Sequence, residues 1–235
     1  MTTLKEYRDE MNRVFARNIR HGFVDYWHCG RLGAEIMELM DNATEEFSSR
    51  GEYKELFDLT NKAFLKWGKT DKDDSSGETQ SFMYDVNDAW NRVYEAEDPR
   101  IPHSKMYSWF ESHIDGSVVD YMEEYLYEYL MKHFYEPELL EKKFAFLNEK
   151  IEEGRRSDNK FVREYQVRSC QQYLLSLMAD MGKPIEEIRN FEAEIQTISS
   201  KEILAEIEER YGNKDEMIAL YRELAAEEDR RGWPR

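Results

Sequence analysis

The stretch "DYMEEYLYEYLMKHFY", beginning at Asp120, holds the densest set of groups able to do chemistry. Asp120, Glu124 and Glu128 recur at steps of four, so on a helix they line one polar face, with Tyr127 nearby. Stacked carboxylates suit two tasks, a general acid and base pair or a seat for a divalent cation. Like charges on one face also repel, so the row calls for a compensating cation, Lys132 or an arginine from a neighbouring helix. The plainer account is a solvated acidic edge on a helix that buries its other side, namely Val118, Met122, Tyr125, Leu126, Tyr129 and Leu130. Asp120, Glu124, Tyr127 and Glu128 are the candidate binding residues on either account, facing a groove if the helices stack into a curved solenoid.

Other sets of reactive residues fall short of a site. His28 and Cys29 are adjacent, and neighbours on a helix point about 100° apart, so they do not face one ligand; no further His or Cys lies three or four positions away. "DKDDSSGE" resembles a calcium loop only in part: counted from Asp71, the sixth position is Ser76 where the loop needs Gly, and the twelfth is Phe82 where it needs a bidentate Glu. A turn leading into a helix N-cap explains these residues better. Arg13, Arg17 and Arg20 share a helix side, which suits a solvated basic face or a contact with an acidic segment. No glycine-rich phosphate loop, nucleophile elbow or His-Glu-x-x-His pattern occurs. The expectation is therefore no catalytic residue, no metal ligand and no cofactor.

The elements that must position these residues are helices. Glu, Lys, Arg, Leu, Met and Ala dominate, Val and Thr are sparse, and only 5 prolines and 11 glycines interrupt 235 residues. Apolar residues at helical spacing mark segments near 4–20, 26–48, 52–68, 79–94, 104–113, 117–135, 137–154 and 160–181, with further helices after Pro184 and on both sides of Gly212. The 26–48 helix carries Ile36, Met37, Leu39, Met40, Ala43 and Phe47 on one stripe, and the 79–94 helix carries Phe82, Val86, Trp90 and Val93 or Tyr94. Within "TDKDDSSGETQ", Ser76 or Thr79 is the expected helix start, and Pro137 suits the first turn of its helix. The helix near 117–135 is expected to begin just after Asp115 and Gly116.

Charge bounds the partners. The formal net charge is −17, and it is uneven: residues 71–98 hold nine acids against two bases, and residues 184–229 hold fourteen against five. Such a charge disfavours nucleic acid, because phosphate contacts need clustered Lys and Arg, so direct nucleic-acid binding is not expected and a basic protein partner is. Twelve Phe, fifteen Tyr and five Trp supply the apolar area for a folded core. No apolar run spans a membrane, the charged N-terminus has no signal-like core, and Cys29 and Cys170 are too few for a disulfide framework, so the expected location is the cytoplasm. The ending "RRGWPR" places Trp233 and Pro234 beyond the last helical pattern, as expected of a piece of a longer protein.

Two glycine turns carry a resemblance. "GEYKELFDLTNKAF" aligns with "GNKDEMIALYREL", and the former resembles the glycine turn and second helix of a tetratricopeptide repeat, with Gly51, Tyr53, Glu55 and Ala63 at the turn glycine, tyrosine, acid and small positions. Leu56 stands where that pattern has a small residue, and the first-helix signature is missing. A broader likeness, carried by "HGFVDYWHCGRLGAEIMELM", "DDSSGE" and "EPELLEKKFAFLNEKI", is to the helical region that follows the finger in bacterial SWIM-type zinc-finger proteins. The finger itself has no counterpart here, so its nucleic-acid role is not carried over.

The resulting expectation is an all-α chain, an irregular tetratricopeptide-like α-solenoid of about ten helices over residues 1–235, with a subdivision near 154–159. Its expected function is a non-catalytic protein-interaction or scaffold module with an acidic surface. Two other classes stay open: an acidic inhibitor that imitates nucleic acid, and a metal-assisted hydrolase built on the Asp120 helix.

Overall fold

The computed structural model describes residues 1–114, 116 and 118–231; Asp115, Trp233 and Pro234 lie outside them. Among the described residues the chain is all-α, with eleven α-helices and no strand beyond two isolated bridges. It divides into two compact units, Met1–Lys132 and a second beginning at His133. Residues 154–159, expected as a subdivision, are the end of a helix and the short loop after it, inside the second unit. There a side chain on Gly154 would meet Val167 Cγ2 at 2.7 Å, so the bare backbone of Gly154 lets the flanking helices close on each other.

The first unit contains α1 (Leu4–Asn18), α2 (Tyr26–Arg50), α3 (Tyr53–Lys69), α4 (Glu78–Ala96), α5 (His103–His113) and α6 (Asp120–Lys132). Thr3 and Glu6 cap α1 reciprocally, and Asp25 caps α2 through the His28 amide. Gly51, with φ 67°, ends α2 in the left-handed turn that the sequence expects there. Helix α2 packs on α1, α3 and α4, and α3 packs on α1 and α4, so contacts run between helices one and two apart in the chain. Their shared core is aromatic. Trp90 is fully buried, its ring 5.4 Å from Phe64, 4.8 Å from Phe110 and 5.1 Å from Tyr129, and its indole N–H donates to Asn61 Oδ1 at 2.9 Å.

The start of α4 differs from expectation. The helix begins at Glu78 behind Gly77, which takes φ 82°, and neither Ser76 nor Thr79 is its cap. The Asp74 carboxylate reaches forward instead and accepts from the Thr79 amide at 3.1 Å, a cap five residues away that a short-range pattern does not reveal.

The second unit contains α7 (Pro137–Arg156), a π-helical turn (Val162–Gln166), α8 (Val167–Asp180), α9 (Ile185–Ile195), α10 (Ile198–Arg210) and α11 (Lys214–Arg231). Pro137 sits in the first turn of α7, and Gly212, at φ 81°, makes the turn between α10 and α11. The single helix expected over 160–181 is interrupted by the π turn. Helix α8 packs on α7, α9 and α10, with Leu175, Met178, Ile188, Leu204 and Ile207 in one apolar cluster. Lys143 is buried, donates to the His133 carbonyl and lies 5.1 Å from the Tyr135 ring; burial pushes its ammonium down to about 8.

Candidate functional site

The carboxylates of α6 do not stand alone. Glu124 and Glu128 are both exposed, Tyr127 is partly buried, and Asp120 opens the helix, its side chain lying outside the described residues. Lys132, one of the cations proposed to compensate the row, pairs with Glu128 at 3.5 Å. Met122, Leu126, Tyr129 and Leu130 are buried as the stripe requires, whereas Tyr125 is only partly so. Burial raises the Tyr125 hydroxyl's pKa, helped by Glu128, Asp74 and Glu124 and by Tyr84 of α4. Helix α6 meets α4 through Tyr129, whose ring lies 5.1 Å from that of Trp90.

From α4 the acidic face continues onto α2. Burial, then Asp41 of α2 and Asp88 one turn further along α4, push the Asp85 carboxyl up to about 6. Arg92 links the two helices, reaching Glu45 at 2.8 Å and Asp88 at 2.9 Å. Among the described residues, the cations paired with Asp41, Glu45, Asp85, Asp88, Glu124 and Glu128 are Arg92 and Lys132. Tyr84 stands in this face 69% exposed, and Tyr121, whose hydroxyl lies 3.4 Å from Lys72 Nζ, is 48% exposed. Sequence reasoning found the α6 row and missed Asp41, Glu45, Tyr84, Asp85 and Asp88. Their signal was present as two further steps of four, 41 with 45 and 84 with 88.

A separate acidic groove is less open to a partner. A groove of about 870 Å³ between α1 and α2 is lined by Glu6, Glu10, Glu35 and Glu46 among others. Glu6 is used in the α1 cap, Glu10 and Glu35 hold Arg17, and Glu46 accepts from Tyr7 and Arg50. Arg17 is thus paired within the first unit, and Arg13 pairs with Glu10.

The remaining sequence candidates have structural partners. The His28 ring bonds Asp25 at 2.8 Å, and Cys29 is buried with its sulfur 3.9 Å from Asp74. Burial, then Asp74, pushes the Cys29 thiol up to about 11, which leaves it protonated and unreactive at neutral pH. In the loop, Asp73 accepts from Ser75 and Asp74 caps α4. Among the described residues no three His, Cys, Asp or Glu side chains converge as metal ligands, and no helix is long and apolar enough to cross a membrane.

The strained carboxylate at the centre of the face gives a first expected outcome. Because the folded chain holds the Asp85 proton more tightly than the unfolded chain, whose ordinary value is 3.8, this group's stabilisation is full below about pH 4 and lost as pH rises through about 6. Asp85→Asn should abolish that dependence and raise stability at pH 7 by about 1 to 2 kcal/mol, less than the full shift implies because solvent screens a partly exposed group. Urea unfolding of both proteins at pH 5 and pH 7 measures this. An unchanged or lowered midpoint for the variant at pH 7 would refute it.

Comparison of the chain with protein-family models, with curated proteins and with solved structures finds no match.

Proposed function

We propose that the first unit is a non-catalytic protein-interaction module and that its α2, α4 and α6 face holds a basic segment of a partner protein. The observation that carries this reading is Tyr84, a large ring left 69% exposed amid carboxylates from three helices. Exposed aromatic rings supply contact area at little entropic cost, and surrounding acids steer a basic partner and fix its register. Packing between helices one and two apart supports an irregular, tetratricopeptide-like stack of hairpins, in which a row of alternate helices forms one continuous surface. Trp27, 82% exposed at the start of α2 with the Tyr26 ring 5.4 Å away, offers a further anchor.

The test is affinity capture by the full chain from lysate of its source cells, alongside a variant carrying Asp41→Asn, Asp88→Asn, Glu124→Gln and Tyr84→Ala. A discrete partner with a basic segment should bind the wild-type chain and be released near 1 M salt, where the screening length falls to about 3 Å. The variant should lose it while keeping its helical circular dichroism. A partner retained equally by the variant would overturn this reading. Divalent-metal-dependent hydrolysis abolished by Glu124→Gln would replace it with an enzymatic one.

A further inference from the structure

The π turn before α8 displays exposed rings beside a run of bases. Phe161 is 69% exposed and Tyr165 is 57% exposed, and their rings stack with centroids 5.3 Å apart and planes 7° from parallel. Neither belongs to the buried stripe of α8, which runs through Val167, Cys170, Leu174 and Met178. The wider turn carries both rings outward. Along this stretch the charge inverts: from Arg155 to Arg168 five bases stand against two acids, with Glu152 just before it paired to Arg155 and Arg156, in a chain whose totals are 33 against 50.

These cations are held loosely. Arg155 pairs with Glu152 at 2.7 Å and Lys160 with Glu164 at 3.8 Å, all four side chains at least half exposed, and such pairs exchange readily for another anion. Arg163 reaches back to the Ser157 carbonyl at 3.3 Å, which keeps it beside the end of α7, where Arg155 and Arg156 stand. Arg168, exposed, follows Tyr165 by three positions, one helical turn along the same side.

We infer that this basic and aromatic knob binds single-stranded nucleic acid. An anionic ligand is required by the charge, and a ligand with flat faces by the paired rings. A single strand offers both, phosphates for the guanidinium groups and unstacked bases for the outer ring faces. A duplex hides its base faces, so its affinity is lower. The whole-chain charge, which disfavours nucleic acid, acts weakly here because a field from residues more than a screening length of about 8 Å away is largely damped at physiological salt.

The experiment is fluorescence anisotropy of labelled oligo-U and oligo-dT of about 15 nucleotides, a length within the reach of small single-strand binding surfaces. The full chain is titrated at two salt concentrations, with a duplex and with phosphatidylserine vesicles as separate arms. Single strands should bind more tightly than the duplex and the vesicles. Phe161→Ala and Tyr165→Ala should each weaken binding about tenfold, and Tyr165→Phe, which keeps the ring, should restore it. Arg168→Gln should weaken binding and reduce the salt slope by about 0.7. No anisotropy change at about 100 µM chain, the weak end of non-specific affinity, would overturn the inference. So would ring variants that bind as well as wild type, or binding to vesicles without binding to strands.

Discussion

Trp90→Ala is expected to unfold the first unit or leave it barely stable. The indole is fully buried and meets rings from α3, α5 and α6, so its removal opens a cavity where three helices join α4. Large-to-small changes of buried aromatics cost about 3 to 5 kcal/mol, and the change also strands the carbonyl of buried Asn61, worth about 1 kcal/mol or more. Together these approach the whole stability of a small unit, about 5 kcal/mol at the lower end. Trp90→Phe isolates the hydrogen bond and should cost only a part of this. Trp27→Ala provides the contrast: at 82% exposure its loss should stay within about 0.5 kcal/mol. Urea unfolding followed by tryptophan emission reads mainly the first unit, because four of the five tryptophans, Trp27, Trp67, Trp90 and Trp109, lie in it. If Trp90→Ala unfolded at the wild-type midpoint, the aromatic junction would not be what holds these helices together.

The junction was legible in outline from the sequence. Period 3.6 in Phe82, Val86, Trp90 and Val93 identified the buried face of α4, and all four are buried. The same holds for the α2 stripe except Met37, which is only partly buried. What periodicity could not supply was partnership. Asp74 capping Thr79 across five residues, and Asp85 facing Asp41 across forty-four, depend on how turns return the chain. The π turn escaped for a different reason. Residues 160–181 are all helix-compatible, and an extra residue in one turn leaves no composition signal. One clue was available: Phe161 and Tyr165 fall out of step with the stripe beginning at Val167, so a regular helix would have left them exposed too. The acidic row on α6 was visible because its members share one helix; its continuation onto α4 and α2 needed the packing of three.

The second unit holds the other large expected effect, within the acid-rich segment 184–229. Glu208 of α10 is 1% exposed. Arg189 of α9 grips it in parallel, Nε to Oε1 at 2.6 Å and a second nitrogen to Oε2 at 2.9 Å, and Asn213 donates to Oε2 at 2.7 Å. Burial alone raises the Glu208 pKa, but the bonds from Arg189 and Asn213 outweigh it and hold the carboxyl below its ordinary 4.5. The folded chain therefore binds this proton less tightly than the unfolded chain. Its contribution is present above about pH 4.5 and lost as pH falls through the lower folded value.

Arg189→Met leaves a buried carboxylate with only Asn213, so the change should cost about 3 kcal/mol at pH 7, the lower end for breaking a buried pair because Arg189 is itself 35% exposed. It should also reverse the local pH response. With the guanidinium gone, burial dominates and lifts the carboxyl above 4.5, so the variant gains stability as pH falls from 7 to 5 while this group in the wild type gains none. Adding Glu208→Leu removes the stranded charge and should recover most of the loss. Amide exchange in α9 and α10 at pH 7 and pH 5, corrected for intrinsic rates, follows the second unit without interference from the first. Equal pH responses in wild type and Arg189→Met would mean that Glu208 is solvated after all. A double variant no more stable than Arg189→Met would mean that packing, not the stranded charge, sets the cost.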